Sequence, residues 1–188
     1  MNISEMLGEY ERDYALAMLG VEDFPYQKLS GKTIVVDGES EYMKLTVCMS
    51  LLALNDKEKL SIKVLMLGNG NELSEKLAER NDFSLCSYEQ AAATEYNFFI
   101  STGICGLELN GTSAEYCRIT NNFARAISTA KSCLERCILL SDYRVYGELE
   151  SGLVISENEA GFVPFSNNGD MSQTTAVSIE TYFSAYAK

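Results

Sequence analysis

The sequence contains no histidine, and that one absence removes both the commonest metal ligand and the commonest general base at neutral pH. Any catalysis has to run on other groups. Proline is nearly missing as well, standing only at positions 25 and 164, both outside the segments read below as helix or strand, so proline interrupts none of them. Basic residues are scarce: fifteen Lys and Arg face twenty-seven Asp and Glu, for a formal charge of −12. Charge of that sign opposes phosphate backbones and anionic headgroups, which argues against nucleic acid and membrane surfaces as partners. No run of about eighteen apolar residues occurs. The first residues, MNISEMLGEYERDY, are acidic and lack the basic-then-apolar pattern of an export signal. The expected setting is soluble and cytoplasmic.

What is present suits a globular fold. At 188 residues with 46% hydrophobic content, the chain can bury one sizeable core. Cys48, Cys86, Cys105, Cys117, Cys133 and Cys137 are scattered through apolar segments, the pattern of reduced core cysteines rather than a disulfide framework. Cys133 and Cys137 are spaced to share a helical face, but nothing nearby completes a zinc site. No metal is expected.

Residues 3–19 read as a helix, with Met6, Leu7, Tyr10, Tyr14, Leu16, Ala17 and Met18 among acidic positions, closed by Gly20 and followed by Pro25. Residues 1–28 therefore form a helical extension ahead of the domain at 29–188. Strands are expected at 32–38, 62–67, 83–86, 96–101 and 137–140, each a short apolar run halted by glycine or polar residues. Between them fall helical stretches at 40–54, 72–80, 88–93 and 113–132, the last with Tyr116, Ile119, Phe123, Ile127 and Ala130 on one stripe. A final helix at 172–187 aligns Ala176, Ile179, Phe183 and Tyr186. Continuous apolar strands alternating with helices imply an α/β fold: a Rossmann-like doubly wound parallel sheet of about five to six strands, covered on both faces.

Three landmarks share one register: Ser30-Gly-Lys-Thr-Ile-Val-Val-Asp-Gly38 leading into a helix, Leu139-Leu-Ser-Asp-Tyr-Arg-Val-Tyr-Gly147 after the fifth strand, and a last helix containing Glu180 and ending Ala185-Tyr-Ala-Lys188. On these, residues 29–188 resemble the N-terminal part of the extended short-chain dehydrogenase/reductase family, the NAD-dependent nucleotide-sugar epimerases and dehydratases. The resemblance implies a G-x-x-G-x-x-G loop that lets a pyrophosphate approach a helix N-terminus. Here Gly38 fills the first position, while Glu41 and Lys44 take the second and third, and Asp37 and Glu39 add carboxylates beside them. Ser40 or Asp37 can cap the helix, and Glu39 and Glu41 can complement its positive end by roughly 0.3–1 kcal/mol each. After the second strand, where the family places a ribose-binding residue, stand Gly68 and Asn69. Asn69 reads as a ribose contact or as half of a plain Asn-Gly turn. NAD is the family's cofactor, and none is expected here.

The family's chemistry uses a Ser or Thr before the V-Y-G landmark and a Tyr-x-x-x-Lys pair on the later helix. Those registers fall on Asp142, Ser172 and Ala176, so the catalytic constellation is expected to be degenerate, and the domain at 29–188 is expected to lack the family's substrate lobe. Two functional readings follow. In the first, the chain is a non-catalytic relative, a pseudoenzyme acting as an interaction or regulatory subunit. The resemblance implies that helices 113–132 and 172–187 form a four-helix interface, giving a homodimer or a heterodimer with a full-length epimerase or dehydratase. In the second, Ser141, Asp142, Tyr143 and Tyr146 line a ligand crevice at the strand ends, with residual nucleotide or nucleotide-sugar binding or altered epimerase/dehydratase-like chemistry. A decayed gene product is a third reading, opposed by the consistent patterning of the elements.

Overall fold

Four short, largely apolar runs form the first four strands, and a fifth, Cys133–Leu139, carries Glu135 and Arg136 at its centre. The computed structural model describes residues 25–147, 156 and 171–186; the helix expected at 3–19 lies outside them. A 3-10 turn, Tyr26–Leu29, leads into β1 (Thr33–Asp37), whose last four residues are buried. The chain continues through α1 (Glu41–Glu58), β2 (Lys63–Leu67), α2 (Glu72–Leu77), β3 (Phe83–Cys86), α3 (Tyr88–Ala92) and β4 (Tyr96–Ser101). It closes with α4 (Ser113–Ser128), β5 (Cys133–Leu139), a 3-10 turn at Tyr143–Tyr146 and α5 (Ser172–Tyr186).

All neighbouring strands are parallel, in the order β3-β2-β1-β4-β5. The expected Rossmann-like doubly wound sheet is what the chain forms. Parallel pairing needs crossovers, and the helices supply them on both faces. On one face α1 and α2 bury Cys48, Leu52 and Leu77 against Ile34, Val36, Val64 and Met66. On the other, α3, α4 and α5 bury Ala91, Ile119, Phe123, Ile127 and Ile179 against Val35 and Phe99.

Local chemistry fixes the helix ends. Ser40, Asn71, Ser87 and Thr112 each accept a backbone N–H at an N-terminus, and Asn71 with Ser74 and Ser87 with Gln90 make reciprocal capping boxes. Four boundaries differ from the sequence expectation by three residues or more. Helix α1 runs to Glu58 rather than stopping near 54, because Asn55 turns inward to bond both Ile62 N and Ile62 O, and Lys59 then ends the helix at φ 55°. Strand β5 starts at Cys133, four residues early. Its polar stretch is an edge in which Glu135 is held by Lys32 at 2.5 Å and Asn97 at 2.7 Å. Helix α4 tightens into a 3-10 turn at Thr129–Ser132, where Thr129 Oγ1 sits 3.2 Å from the Tyr96 hydroxyl. The stretch expected at 72–80 is helical only to Leu77. Its tail carries Arg80, which bridges Asp56 and Asp82 at 2.8 Å each and ties α1 to the start of β3.

Candidate functional site

The chain moves outward from β1 through β2 to β3, then returns across the sheet to enter β4 on the other side of β1. The loops leaving β1 and β4 therefore diverge, and a crevice opens at their C-terminal ends. The turn after β1 is tight. Gly38 has φ 147°, and a Cβ there would lie 1.9 Å from Thr102 Oγ1. Thr102 N donates to Asp37 O at 2.8 Å and Glu39 N to Gly103 O at 2.9 Å, so the two loops are laced together beside that glycine.

The other residues around this turn behave differently from one another. Glu39 is held by Arg118 at 2.5 Å and by Asn122 Nδ2 at 2.9 Å, both from α4. Its carboxylate stands in the crevice wall. Glu41 begins α1, where the helix dipole favours a carboxylate. Ser40 supplies the cap, accepting from Met43 N at 3.4 Å, whereas Asp37 is buried at the strand end and caps nothing. Lys44 does more than add bulk. It is buried, and its ammonium donates to Leu67 O at the end of β2, at 3.2 Å, on the floor of the crevice. Burial pushes the Asp37 carboxyl up to about 6, against the opposing pull of the Lys44 charge.

The crevice has a volume of about 630 Å³ and extends from Gly38 along β2 to the end of β3. Asn69 lines it, together with Gly68, Ser87, Gln90 and Asn122. Opposite them, the Arg125 guanidinium lies 4.6 Å from the centre of the Tyr88 ring while pairing with Glu89 at 3.0 Å. That arrangement presents a flat, cationic and aromatic wall. Burial pushes the Tyr88 hydroxyl up to about 12, with Asp37 and Glu39 adding to the shift, so it stays protonated at neutral pH.

A second hollow, of about 740 Å³, gathers Ser141, Asp142, Tyr143, Arg144 and Ser172 against the loop 105–109. Ser141, Asp142 and Tyr143 thus line one hollow. Tyr146 does not line this hollow. Asp142 is committed to structure: it binds Arg144 Nε at 2.6 Å, and although burial opposes ionisation, that guanidinium holds the carboxyl below the usual carboxylate range. Arg144 in turn bonds Leu107 O at 3.1 Å, fixing the loop. Ser141 Oγ donates to Glu180. Ala176 is packed into the core beneath α4. Among the described residues, no group of three or more His, Cys, Asp and Glu is placed to hold a metal, and no helix is long and apolar enough to cross a membrane.

Sequence reasoning missed Arg118, Asn122, Tyr88 and Arg125, which come from α3 and α4 and meet the β1 loop only through the sheet order. Lys44 carried a readable signal. It falls in line with Cys48 and Leu52, four and eight residues on, which are both fully buried.

This geometry defines a Rossmann-like doubly wound domain. No family model matches the chain, and no curated protein does either. Among solved structures, a chorismate mutase/shikimate 5-dehydrogenase fusion protein from Clostridium acetobutylicum is similar over 70% of this chain and 48% of that one, at 14% identity and a TM-score of 0.29. This chain thus spans about half of that fusion protein, and a likeness at this score carries no functional argument.

Proposed function

We propose that the switch-point crevice binds a nucleoside-class ligand through its base and ribose, in a domain that does not perform the hydride chemistry of the epimerases and dehydratases it resembles. The observation that carries this reading is the division of the crevice into two unlike halves. The half beside β2 and β3 offers Asn69, Ser87 and Gln90 near the flat Tyr88–Arg125 wall. These are the groups that a planar heterocycle and a sugar hydroxyl can use. The half beside the β1 turn, where a pyrophosphate would lie, instead carries the Glu39 carboxylate pinned by Arg118 and Asn122. Like charge at that point discriminates against the diphosphate. The absence of hydride chemistry follows from Ser172 and Ala176, which stand where the resemblance puts tyrosine and lysine.

Titration calorimetry tests the reading. At about 0.3 kcal/mol per heavy atom, a ligand of adenosine's size binds with a Kd on the order of 0.1 mM. Adenosine is expected to bind in that range and NAD no more tightly, with Tyr88→Ala abolishing the signal. NAD binding well below adenosine's Kd, or no response to any nucleoside, overturns it.

A second reading, an interaction subunit, is favoured by Tyr182 and Tyr186, which α5 leaves exposed beside α4. Tyr116 of α4 meets Ser178 of α5 at 3.4 Å, so the two helices form one continuous face. A dimer built on that face is expected to sediment as such at roughly 10 µM and to dissociate on Tyr182→Asp. A monomer at every concentration excludes it.

A further inference from the structure

Cys133 and Cys137 are four residues apart on β5, a spacing that in an even strand puts two side chains on one face but about 13 Å apart. The ladder to β4 is not even. Tyr96 pairs with Cys133 and Phe98 with Arg136, so β5 fits three steps where β4 takes two, and Cys137 then pairs with Phe99. This bulge brings the two cysteine Cα atoms to within three strand steps, about 10 Å. It also folds the chain back locally: Cys133 Sγ lies 3.3 Å from Arg136 O and from Asn97 O, with its S–H donating to one at a time. Both thiols are free and pack on the α4 side of the sheet, against the cluster that holds Tyr96 and Phe99. Both line one hollow of about 690 Å³, bounded by the turn before β5 and the end of α5. Burial, and next the Cys133 sulfur, push the Cys137 thiol up to about 12, so the two sulfurs act on each other directly.

We propose that this thiol pair is a two-coordinate site for a thiophilic monovalent ion of the copper(I) class. Span decides which bridge the two sulfurs can make. A disulfide needs Cα atoms within about 7 Å, and three strand steps exceed that. A structural zinc site needs four ligands in a tetrahedron, and among the described residues no group of three or more His, Cys, Asp and Glu is placed to supply them. A single ion between the two sulfurs does reach. Exchanging an S–S bond of about 2 Å for two metal–sulfur bonds of about 2.3 Å each lengthens the greatest disulfide span to about 9–10 Å, which matches the bulged separation.

Donor chemistry and charge agree with that span. Thiolates are soft ligands and select copper(I) over the hard cations that carboxylates and carbonyls prefer. Two S–metal bonds form as two S–H bonds break, both protons pass to water, and the bis-thiolate complex keeps one negative charge. Lys131 and Arg136 line the same hollow and offset that charge. The Glu135 carboxylate, which also lines it, is already held by Lys32 and Asn97.

Anaerobic titration of the reduced full chain with copper(I), read by iodoacetamide alkylation and mass spectrometry, tests the assignment. With the free ion at about ten times its Kd, alkylation of Cys133 and Cys137 should slow about tenfold, while the exposed Cys117 keeps its rate. Uptake should reach one ion per chain, with two sulfur neighbours by X-ray absorption, and excess zinc should not displace it. Cys133→Ser and Cys137→Ser should each remove the protection of the thiol that remains. Because protection and coordination are both read in the unsubstituted chain, a variant that fails to fold does not decide the outcome. No uptake, protection of Cys117 in place of the pair, a third ligand to the ion, or protection that survives both serine substitutions overturns the proposal. Half an ion per chain in a dimer overturns it in favour of a site between two copies. A Cys133–Cys137 disulfide formed by oxidised glutathione overturns it by showing that the span is shorter than about 7 Å.

Discussion

Gly38→Ala is expected to cost roughly 3 kcal/mol or more in urea unfolding, a large share of the 5–15 kcal/mol that holds a domain together. Two separate penalties meet at this position. At φ 147° the backbone occupies a region that L side chains rarely adopt, and the added Cβ would stand 1.9 Å from Thr102 Oγ1 and 3.1 Å from Thr102 Cβ. Strain of the first kind costs about 1–3 kcal/mol, and overpacking of the second kind costs a similar amount. Thr102 cannot swing away freely, because its backbone N–H is bonded to Asp37 O and its hydroxyl lies 3.3 Å from the same oxygen. Thr102→Ala separates the two terms. In that background the cost of Gly38→Ala should fall by about 1–2 kcal/mol, leaving the backbone penalty. Equal costs in both backgrounds, or a total near the ordinary Gly-to-Ala difference, would refute the claim that this glycine exists to let the β1 and β4 loops approach each other at Thr102.

That glycine was legible in the sequence because it ended an apolar run and opened a helix, and the same logic found every strand. Runs such as Ile34-Val35-Val36 have one physical outcome when buried on both faces. The order of strands is a different matter. No local pattern says that β4 returns beside β1, so the contributions of Arg118, Asn122, Tyr88 and Arg125 to the crevice could not be read in advance. The β5 boundary was lost for a related reason. Edge strands tolerate polar residues, and Glu135 and Arg136 resemble a loop until Lys32 and Asn97 are seen to reach Glu135. In the resemblance Lys44 takes the third glycine position of the loop, whereas in the structure its ammonium forms part of the crevice floor. Side-chain direction in a helix is set by what packs on it, and the carbonyl of Leu67 was not visible from α1 alone.

Lys44 and its neighbour Asp37 lead to the second large effect. Asp37→Asn is expected to stabilise the protein at pH 8 relative to pH 4 by about 3 kcal/mol more than the unsubstituted chain. The unfolded carboxyl ionises near 4, while burial moves the folded one up to about 6. Between those values the folded state holds a proton that the unfolded state has released. Stability therefore falls as pH rises through that window, and it is flat beyond it. A shift of about two units is worth about 3 kcal/mol, and Asn removes it without changing shape. Comparing the two proteins is essential, because Asp82 and Asp142 are held below the usual carboxylate range and act in the opposite sense at lower pH. The groups facing Asp37 set the sign of two further outcomes. Lys44 favours the charged form and Glu39 opposes it, while Ser101 donates to the carboxylate at 3.3 Å. Lys44→Met should thus move the Asp37 midpoint above 6, and Glu39→Gln should move it down, both read from the carboxyl carbon chemical shift. An Asp37 that titrates near 4 in the folded protein, with no response to Lys44→Met, would mean that water reaches the strand end and that Asp37 does not sit in the buried environment described above.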